Sequence, residues 1–276
     1  MALEEAVAEG RKHLCLTDPD ARMMGEGRSR RVQECHSFEV AVDKGAGLLV
    51  VGQTTNTSSD NARLEAVLEA AAANEPEGVV AVDADSGYYE GDAIGRLLSR
   101  GLDLCVPDSN TAGDLHRGAP AGSTRDRQRG TVPLVYDEAA DCLRCPQGNE
   151  LRPVQRGHRH AGQRTTDYRA VTSCRDCPLA SACLSQPNAQ YRTVRRGEYS
   201  EALEQARQRF NDPEHRERYR HRGEAVETVF AFLRATLGYT RFLLRGGGRV
   251  ACEGRLFRLA YQLRKVHPHW AAGQAG

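Results

Sequence analysis

The stretch that most constrains the fold is "EGVVAVDADSGYYEGD", residues 77–92. Four apolar residues in a row, Val79 to Val82, stand between Gly78 and Gly87. That pattern predicts a strand covered on both faces. Side chains alternate along a strand, so Asp83 and Asp85 project from one side of its carboxyl end. Open α/β sheets carry their ligands at that end. The flanking sequence agrees with an α/β class. Phe38–Val42 and Leu48–Val51 read as two arms of a hairpin turning through "DKGAG". "NTSSDNARLEAVLEAAAANEP" reads as a helix capped from Ser58, Ser59 or Asp60, with Leu64, Val67, Leu68 and Ala71 as its apolar stripe. A helix over "GDAIGRLLSRG" and a short strand "LDLCVP" follow. After a helix in residues 1–12, the first 108 residues therefore read β-β-α-β-α-β.

Three segments are expected. Residues 1–110 form the α/β part. Residues 111–190 lose apolar periodicity and form an irregular, cysteine-bearing insert, whose first part, "DSNTAGDLHRGAPAGSTRDRQRG", is expected to be mobile. Residues 191–276 are basic and helical. In "PEHRERYRHRGEAVETVFAFLRATLGY", read as one helix, Val226, Phe230, Leu233 and Leu237 fall at helical spacing. Glu227 sits beside that stripe, with Arg220 and Arg234 two turns away on its own face.

The net charge of +1 hides an asymmetry. Residues 1–110 carry 10 basic and 20 acidic side chains, whereas residues 186–276 carry 17 and 9. An acidic part joined to a basic tail suits a carboxylate metal site beside a polyanion-binding surface. No apolar run approaches the roughly 20 residues of a membrane span, and "MALEEAVAEGRKHL" has no apolar signal core. A cytoplasmic location is expected, with nucleoid association when bound to DNA.

Of nine cysteines, Cys15, Cys35, Cys105 and Cys252 stand alone. Cys142 and Cys145 in "DCLRCPQGNEL" and Cys174, Cys177 and Cys183 in "SCRDCPLASAC" cluster. Cys145, Cys174, Cys177 and Cys183 make a four-thiolate set for zinc, with His158 and His160 as spare ligands. A segment this poor in apolar residues gains most from such a metal.

Several stretches in one order resemble bacterial insertion-sequence transposases of the DDE type, the group with a ribonuclease-H-like catalytic domain and a cysteine-bearing insert. They run from "TDPDARMM" through "EVAVDKGAGLLVVGQTTNTSSD", "VVAVDADSGYYEG", "YDEAADCLRCPQGNEL" and "YRAVTSCRDCPLASAC" to "YRHRGEAVETVF", "GYTRFLLRGGGRV" and "LAYQLRKV". The resemblance implies a ribonuclease-H-like mixed sheet flanked by helices and interrupted by a zinc-binding insert. It implies DNA transposition by metal-dependent phosphodiester hydrolysis and strand transfer. Asp85 matches the second catalytic Asp and Glu227 the catalytic Glu, and both would hold Mg²⁺. Asp83 would be an accessory acid, and Arg220, Arg222, Arg234 and Arg245 would contact DNA. A homodimer fits the same reading. The strand ending at Asp85 is expected centrally in a sheet, near the Glu227 helix.

The chain departs from the pattern at the first catalytic Asp, which belongs to a first strand in an Asp-Gly-Thr context. Only 16 residues precede Thr17, and they contain no Asp. Asp18, Asp20 and Asp43 are the remaining acids there. The expectation is a truncated chain with impaired activity alone and an open sheet edge beside "EVAVD". The alternatives are a non-catalytic DNA-binding protein with a zinc-bound insert, and one half of a split transposase whose N-terminal partner chain supplies the first Asp. "HSFE" at residues 36–39, Gly223, Arg234, Gly254 and Gln262 also depart from the family residues. The two glycines are expected to weaken helices by about 1 kcal/mol each.

Overall fold

The computed structural model describes residues 2–25, 32–57, 63–75, 78–123, 132–160, 163–184, 186 and 188–274. The chain divides into two compact units, Met1–Val79 with His221–Gly276, and Val80–Arg220. Both mix helices and strands, as the α/β class predicts.

The first unit starts with α1 (Ala2–Ala8) and an antiparallel pair, β1 (Arg22–Gly25) and β2 (Val32–Cys35). The predicted hairpin follows as β3 (Ser37–Val42) and β4 (Leu49–Thr55), antiparallel and turned by Asp43, whose carboxylate accepts from the amides of Gly45 and Ala46. Helix α2 is Leu64–Ala72 and buries Leu64, Val67 and Ala71; the Ser58, Ser59 and Asp60 caps lie outside the described residues. Two further helices, Glu224–Leu237 and Gly247–Gln274, complete this unit and are named α8 and α9 below in chain order.

The hairpin and these helices share one core: Phe38, Leu49, Val229, Phe232, Leu233 and Tyr261, with Phe242 and Phe257 packed edge-on or stacked around Phe38. Each large apolar side chain buried there contributes about 1.5–3 kcal/mol. The Gln262 side chain binds both polar groups of Leu49, its Oε1 accepting from the amide at 3.1 Å and its Nε2 donating to the carbonyl at 3.0 Å. Arg258 and Asn74 donate to the Val50 carbonyl. Buried Glu39 on β3 is held by Arg63 at 2.7 and 3.0 Å and by Gln53 at 3.0 Å. Among the described residues β3 pairs with β4 alone, which leaves one edge of "EVAVD" without a strand.

The second unit opens with a β-α-β unit: β5 (Ala81–Asp83), α3 (Gly91–Ser99) and β6 (Asp103–Cys105), with β5 and β6 parallel. Helix α4 (Ser109–His116) is capped by Asp108, which accepts from the Asn110 and Thr111 amides. Then come β7 (Val135–Asp137), β8 (Cys142–Arg144), β9 (Glu150–His160), β10 (Gln163–Ala170), the short α5 (Ala180–Cys183) and β11 (Thr193–Gly197). These strands form one antiparallel sheet in the order β11-β10-β9-β8-β7. Helices α6 (Ser200–Arg209) and α7 (Pro213–Arg220) close the unit.

Several expectations need correction. The strand ending at Asp83 is not central or covered on both faces: among the described residues it has one neighbour, β6, and Val80 is 75% exposed. A single partner leaves one strand edge without a strand neighbour. Residues 135–197 are not irregular but carry the largest sheet among the described residues; β9 lacks period-2 apolarity because most of its side chains are exposed, and β10 carries polar residues even at half-buried positions. Part of the stretch expected to be mobile is α4. The helix through Glu227 does not extend back to residue 213: a 3-10 turn, His221–Gly223, separates α7 from α8 (Glu224–Leu237). The buried stripe of α8 is Val229, Phe232 and Leu233, and Leu237 is exposed.

Gly254 is not a relaxed position either. It lies on α9 (Gly247–Gln274), where a Cβ would stand 2.7 Å from Thr54 Cγ2 and 3.2 Å from the Phe38 ring. At Gly223 a Cβ would meet only the end of the Glu227 side chain, at 3.0 Å. Gly254→Ala is therefore expected to lower the thermal midpoint, since an overpacking cost of about 1–3 kcal/mol exceeds the helix-propensity gain of about 1 kcal/mol. Gly223→Ala is expected to leave the midpoint unchanged or raise it. Thermal melts of both variants check the contrast.

Candidate functional site

Asp85 follows β5 and caps a 3-10 turn, Ser86–Tyr88; its Oδ1 accepts from the Gly87 amide at 2.7 Å. The bond fixes the carboxylate on an exposed loop. Asp83 has a different setting. It is buried against Arg218 of α7, whose guanidinium also pairs with Asp103 and donates to the Asp103 carbonyl at 3.2 Å. Burial raises the Asp103 pKa, but Arg218 and Arg209 outweigh it and the net shift is downward. Asp83 thus pairs with a half-buried cation, although it lies two residues from Asp85.

Glu227 lies in the first turn of α8, exposed, and no described side chain pairs with it. Arg234 is exposed one face along the same helix, its guanidinium 5.8 Å from the Phe230 ring centroid. Arg245 is exposed, Arg222 half-buried, and Arg220 ends α7 paired with Glu217. Because of the turn at His221–Gly223, Arg220 does not share a helix face with Glu227. Asp85 belongs to the second unit and Glu227 to the first.

The remaining N-terminal acids all accept hydrogen bonds, Asp20 from a group 227 residues away. Asp18 binds His36 at 3.0 Å and caps the Asp20 amide; Asp20 accepts from the Gly247 amide at 2.7 Å; Asp43 holds its own turn. Burial raises the Asp18 pKa, and hydrogen bonds from the backbone and His36 more than reverse it.

Cys145, Cys174, Cys177 and Cys183 all line one pocket of about 310 Å³, together with Arg192; Cys142 is buried in β8 and does not line it. The Cys145 sulfur accepts from the Asn149 amide at 3.3 Å, and Cys174 accepts from the Asn149 side chain at 3.7 Å. The Cys174–Cys177 pair closes a turn, with the Cys177 amide donating to the Cys174 carbonyl. Burial pushes the Cys183 thiol up; Arg192 opposes this, while the other three cysteines add to it. Arg192 is a buried cation whose Nε has no hydrogen-bond partner among the described residues. Four thiols beside an uncompensated cation are a donor set of the right chemistry for a thiophilic ion. As they stand, no group of three or more His, Cys, Asp or Glu side chains among the described residues is ready to hold a metal. His158 is apart from this pocket, near Asp167 at 3.5 Å.

Sequence reasoning passed over the Arg-rich β9–β10 ribbon. Arg156, Arg164 and Arg196 border a cavity of about 470 Å³ with Tyr136 and Tyr168. Arg196 stacks on Tyr136 at 3.8 Å, and Arg156 pairs with Asp141. The ribbon is tied to the start of α3, where Arg159 pairs with Glu90 at 3.2 Å and the Arg164 amide donates to Asp92. The density of Arg and His in "RPVQRGHRH" and the β-prone "QRTTDYR" after it were the available signal.

Residues 144–267, which run from the cysteine pocket through Glu227, match the family model described as Transposase DDE domain. Over this stretch the chain is similar to the DDE-type transposases. No curated protein and no solved structure matches it. Among the described residues no helix is long and apolar enough to cross a membrane.

His215 of α7 packs beneath Arg218, its ring 4.6 Å from that of Phe210, with Nε2 buried and unbonded. Burial first, then Arg209 and Arg218, lower its pKa, against smaller opposing effects of Asp103 and Asp83. The folded pKa therefore lies below the unfolded value of about 6.5. Stability from neutral His215 is complete above that value and is lost as pH falls through it toward the folded pKa. Urea midpoints near pH 7.5 and about pH 5.5 are expected to differ more in the wild type than in His215→Leu.

Proposed function

We propose that the chain is the catalytic part of an insertion-sequence transposase, acting on DNA in the cytoplasm. The family match across residues 144–267 carries this reading, because it spans both the cysteine segment and Glu227. A ribonuclease-H-like arrangement is supported by an antiparallel hairpin in one unit and, in the other, a parallel β-α-β unit whose first strand leads into Asp85.

Asp85 and Glu227 are the carboxylates that would hold Mg²⁺. Both are exposed oxygen donors, the type hard cations take. Such ions, when bound, activate the attacking oxygen and stabilise the leaving oxygen of a phosphodiester. The Gly87 amide fixes the Asp85 carboxylate, so little ordering is left for substrate binding. Arg222, Arg234 and Arg245 would grip phosphates, and Arg218 holds Asp83 out of this role. Cys145, Cys174, Cys177 and Cys183 would hold zinc, with Arg192 offsetting the thiolate charge.

Asp18 and Asp43 accept hydrogen bonds from nearby groups, and Asp20 accepts from the distant Gly247 amide. A third catalytic carboxylate would then come from a separate segment or partner chain, with the open edge of β3 as a place for its strand. The same observation favours a second reading, DNA binding without catalysis by this chain alone.

Two outcomes are expected. Purified protein should carry about one zinc by elemental analysis, and Cys174→Ser should lose it and melt earlier. The chain alone should bind labelled duplex carrying the element's terminal repeats, with steep salt dependence, but should not nick it in Mg²⁺ or Mn²⁺. Nicking by the wild type that vanishes in Glu227→Gln would instead assign the third carboxylate to Asp18, Asp20 or Asp43.

A further inference from the structure

The five-stranded sheet curls until its edges meet. Its outermost strands are β7 and β11, the two ends of the strand order. Yet Arg196 of β11 stacks on the Tyr136 ring of β7, 3.8 Å from its centroid, and that ring stands edge-on to Tyr168 of β10 at 6.1 Å. Leu143, Leu151, Ala170 and Val194, from β8 to β11, pack with Tyr136 in one cluster. The sheet is thus a cup with an apolar floor, and the cavity of about 470 Å³ beside the two tyrosines is polar. Ligand pockets run from about 300 to 1,000 Å³, and the mouths of closed sheets are a common place for them.

Two backbone exceptions meet at this cavity. Asp141 is the one non-glycine residue with positive φ, 44°, among the described residues. Gly157, φ 73°, lies in a bulge where β9 sets two residues against Thr166. Arg156 of that bulge pairs with Asp141 at 2.5 Å, and Tyr136 and Tyr168 donate to the same carboxylate. Bulges and strained residues of this kind collect at ligand sites. These bonds fix the tyrosines and Arg156. Glu138, Glu198 and the Arg164 guanidinium border the same cavity, are exposed, and pair with no described side chain.

We propose that this cavity binds a free guanine nucleotide. The bordering groups select it by their chemistry. A simple anion would meet the two carboxylates, and a simple cation the guanidiniums of Arg156, Arg164 and Arg196. Apart from the tyrosine rings the lining is polar or glycine, which disfavours an apolar ligand. The flat surfaces of the tyrosines and of Arg196 offer stacking to a planar heterocycle. Among the common bases guanine has two adjacent donors on its pairing edge, N1–H and the N2 amino group, and a carboxylate accepts from both. Its other edge, O6 and N7, accepts from a guanidinium. Adenine would turn a bare N1 acceptor toward the carboxylate. Of the guanidiniums on β9 and β10, one serves O6 and N7 and another the phosphate. A nucleotide within a strand carries phosphates on both sides, and the second carboxylate opposes them, so the free nucleotide is the better fit. The inference does not depend on the transposase reading, since it uses only this sheet.

The test is titration calorimetry of the full chain with GDP, ADP and inorganic phosphate. GDP is expected to bind about tenfold or more tightly than ADP, the discrimination of one bidentate base contact, and phosphate is expected not to displace it at equal concentration. Glu138→Gln with Glu198→Gln should abolish the preference, because a glutamine amide has both a donor and an acceptor to offer adenine. Arg164→Gln should weaken GDP binding by about tenfold. All three side chains are exposed, so the thermal midpoints of these variants without nucleotide should match that of the wild type. A wild type that binds no GDP at about 1 mM, that takes ADP or phosphate as tightly, or whose preference survives in the double variant overturns the proposal. Displacement of GDP by a lower concentration of a thymine oligonucleotide carrying one guanine would give the cavity to a DNA strand and overturn the free nucleotide.

Discussion

Short sheets impose the constraint on which both units depend. A strand with one neighbour leaves half of its backbone amides and carbonyls to be satisfied by something other than a strand. In the first unit side chains take that part. Gln262 binds Leu49 through both its donor and its acceptor, and Arg258 and Asn74 bind Val50. In the second unit Arg218 reaches across β5 and β6, bonding the Asp103 carbonyl while pairing with Asp83 and Asp103. These side chains hold the helices onto the sheets. The apolar core can then form where the strands alone would be too few to define it.

The same bonds explain why neighbouring acids have different fates. Asp83 and Asp85 were legible as a pair on one side of a strand. The sequence did not show that a guanidinium 135 residues away would occupy the first and leave the second on a turn. Sequence spacing also could not separate Asp18, Asp20 and Asp43 from a catalytic acid. What the fold adds is their hydrogen bonds to His36, Gly247 and the 45–46 amides.

Legibility followed local physics. The β3–β4 hairpin, α2, α3 and β6 were readable, because apolar alternation, caps and glycine turns are encoded within a few residues. The five-stranded sheet was not, since β9 is exposed on most positions and the ribbon carries arginine, threonine and aspartate where a half-buried strand would carry valine. The 3-10 turn His221–Gly223 interrupted a helix that apolar periodicity had continued. Gly254 and Gln262 read as departures from a family pattern, yet each serves a close contact with the hairpin. The gathering of four cysteines at one pocket was legible from spacing. The buried Arg192 beside them was not, because nothing local marks an arginine for burial.

The contact between Gln262 and Leu49 spans 213 residues, and the unit it closes is split around the other one. During synthesis, therefore, the hairpin emerges long before α8 and α9, which cover it. Residues 80–220 can complete their own core while Phe38, Leu49 and an unpaired strand edge wait in solvent. The order of translation makes the earliest strands the last to be buried, and the intervening interval is the one in which this chain is most exposed to wrong partners.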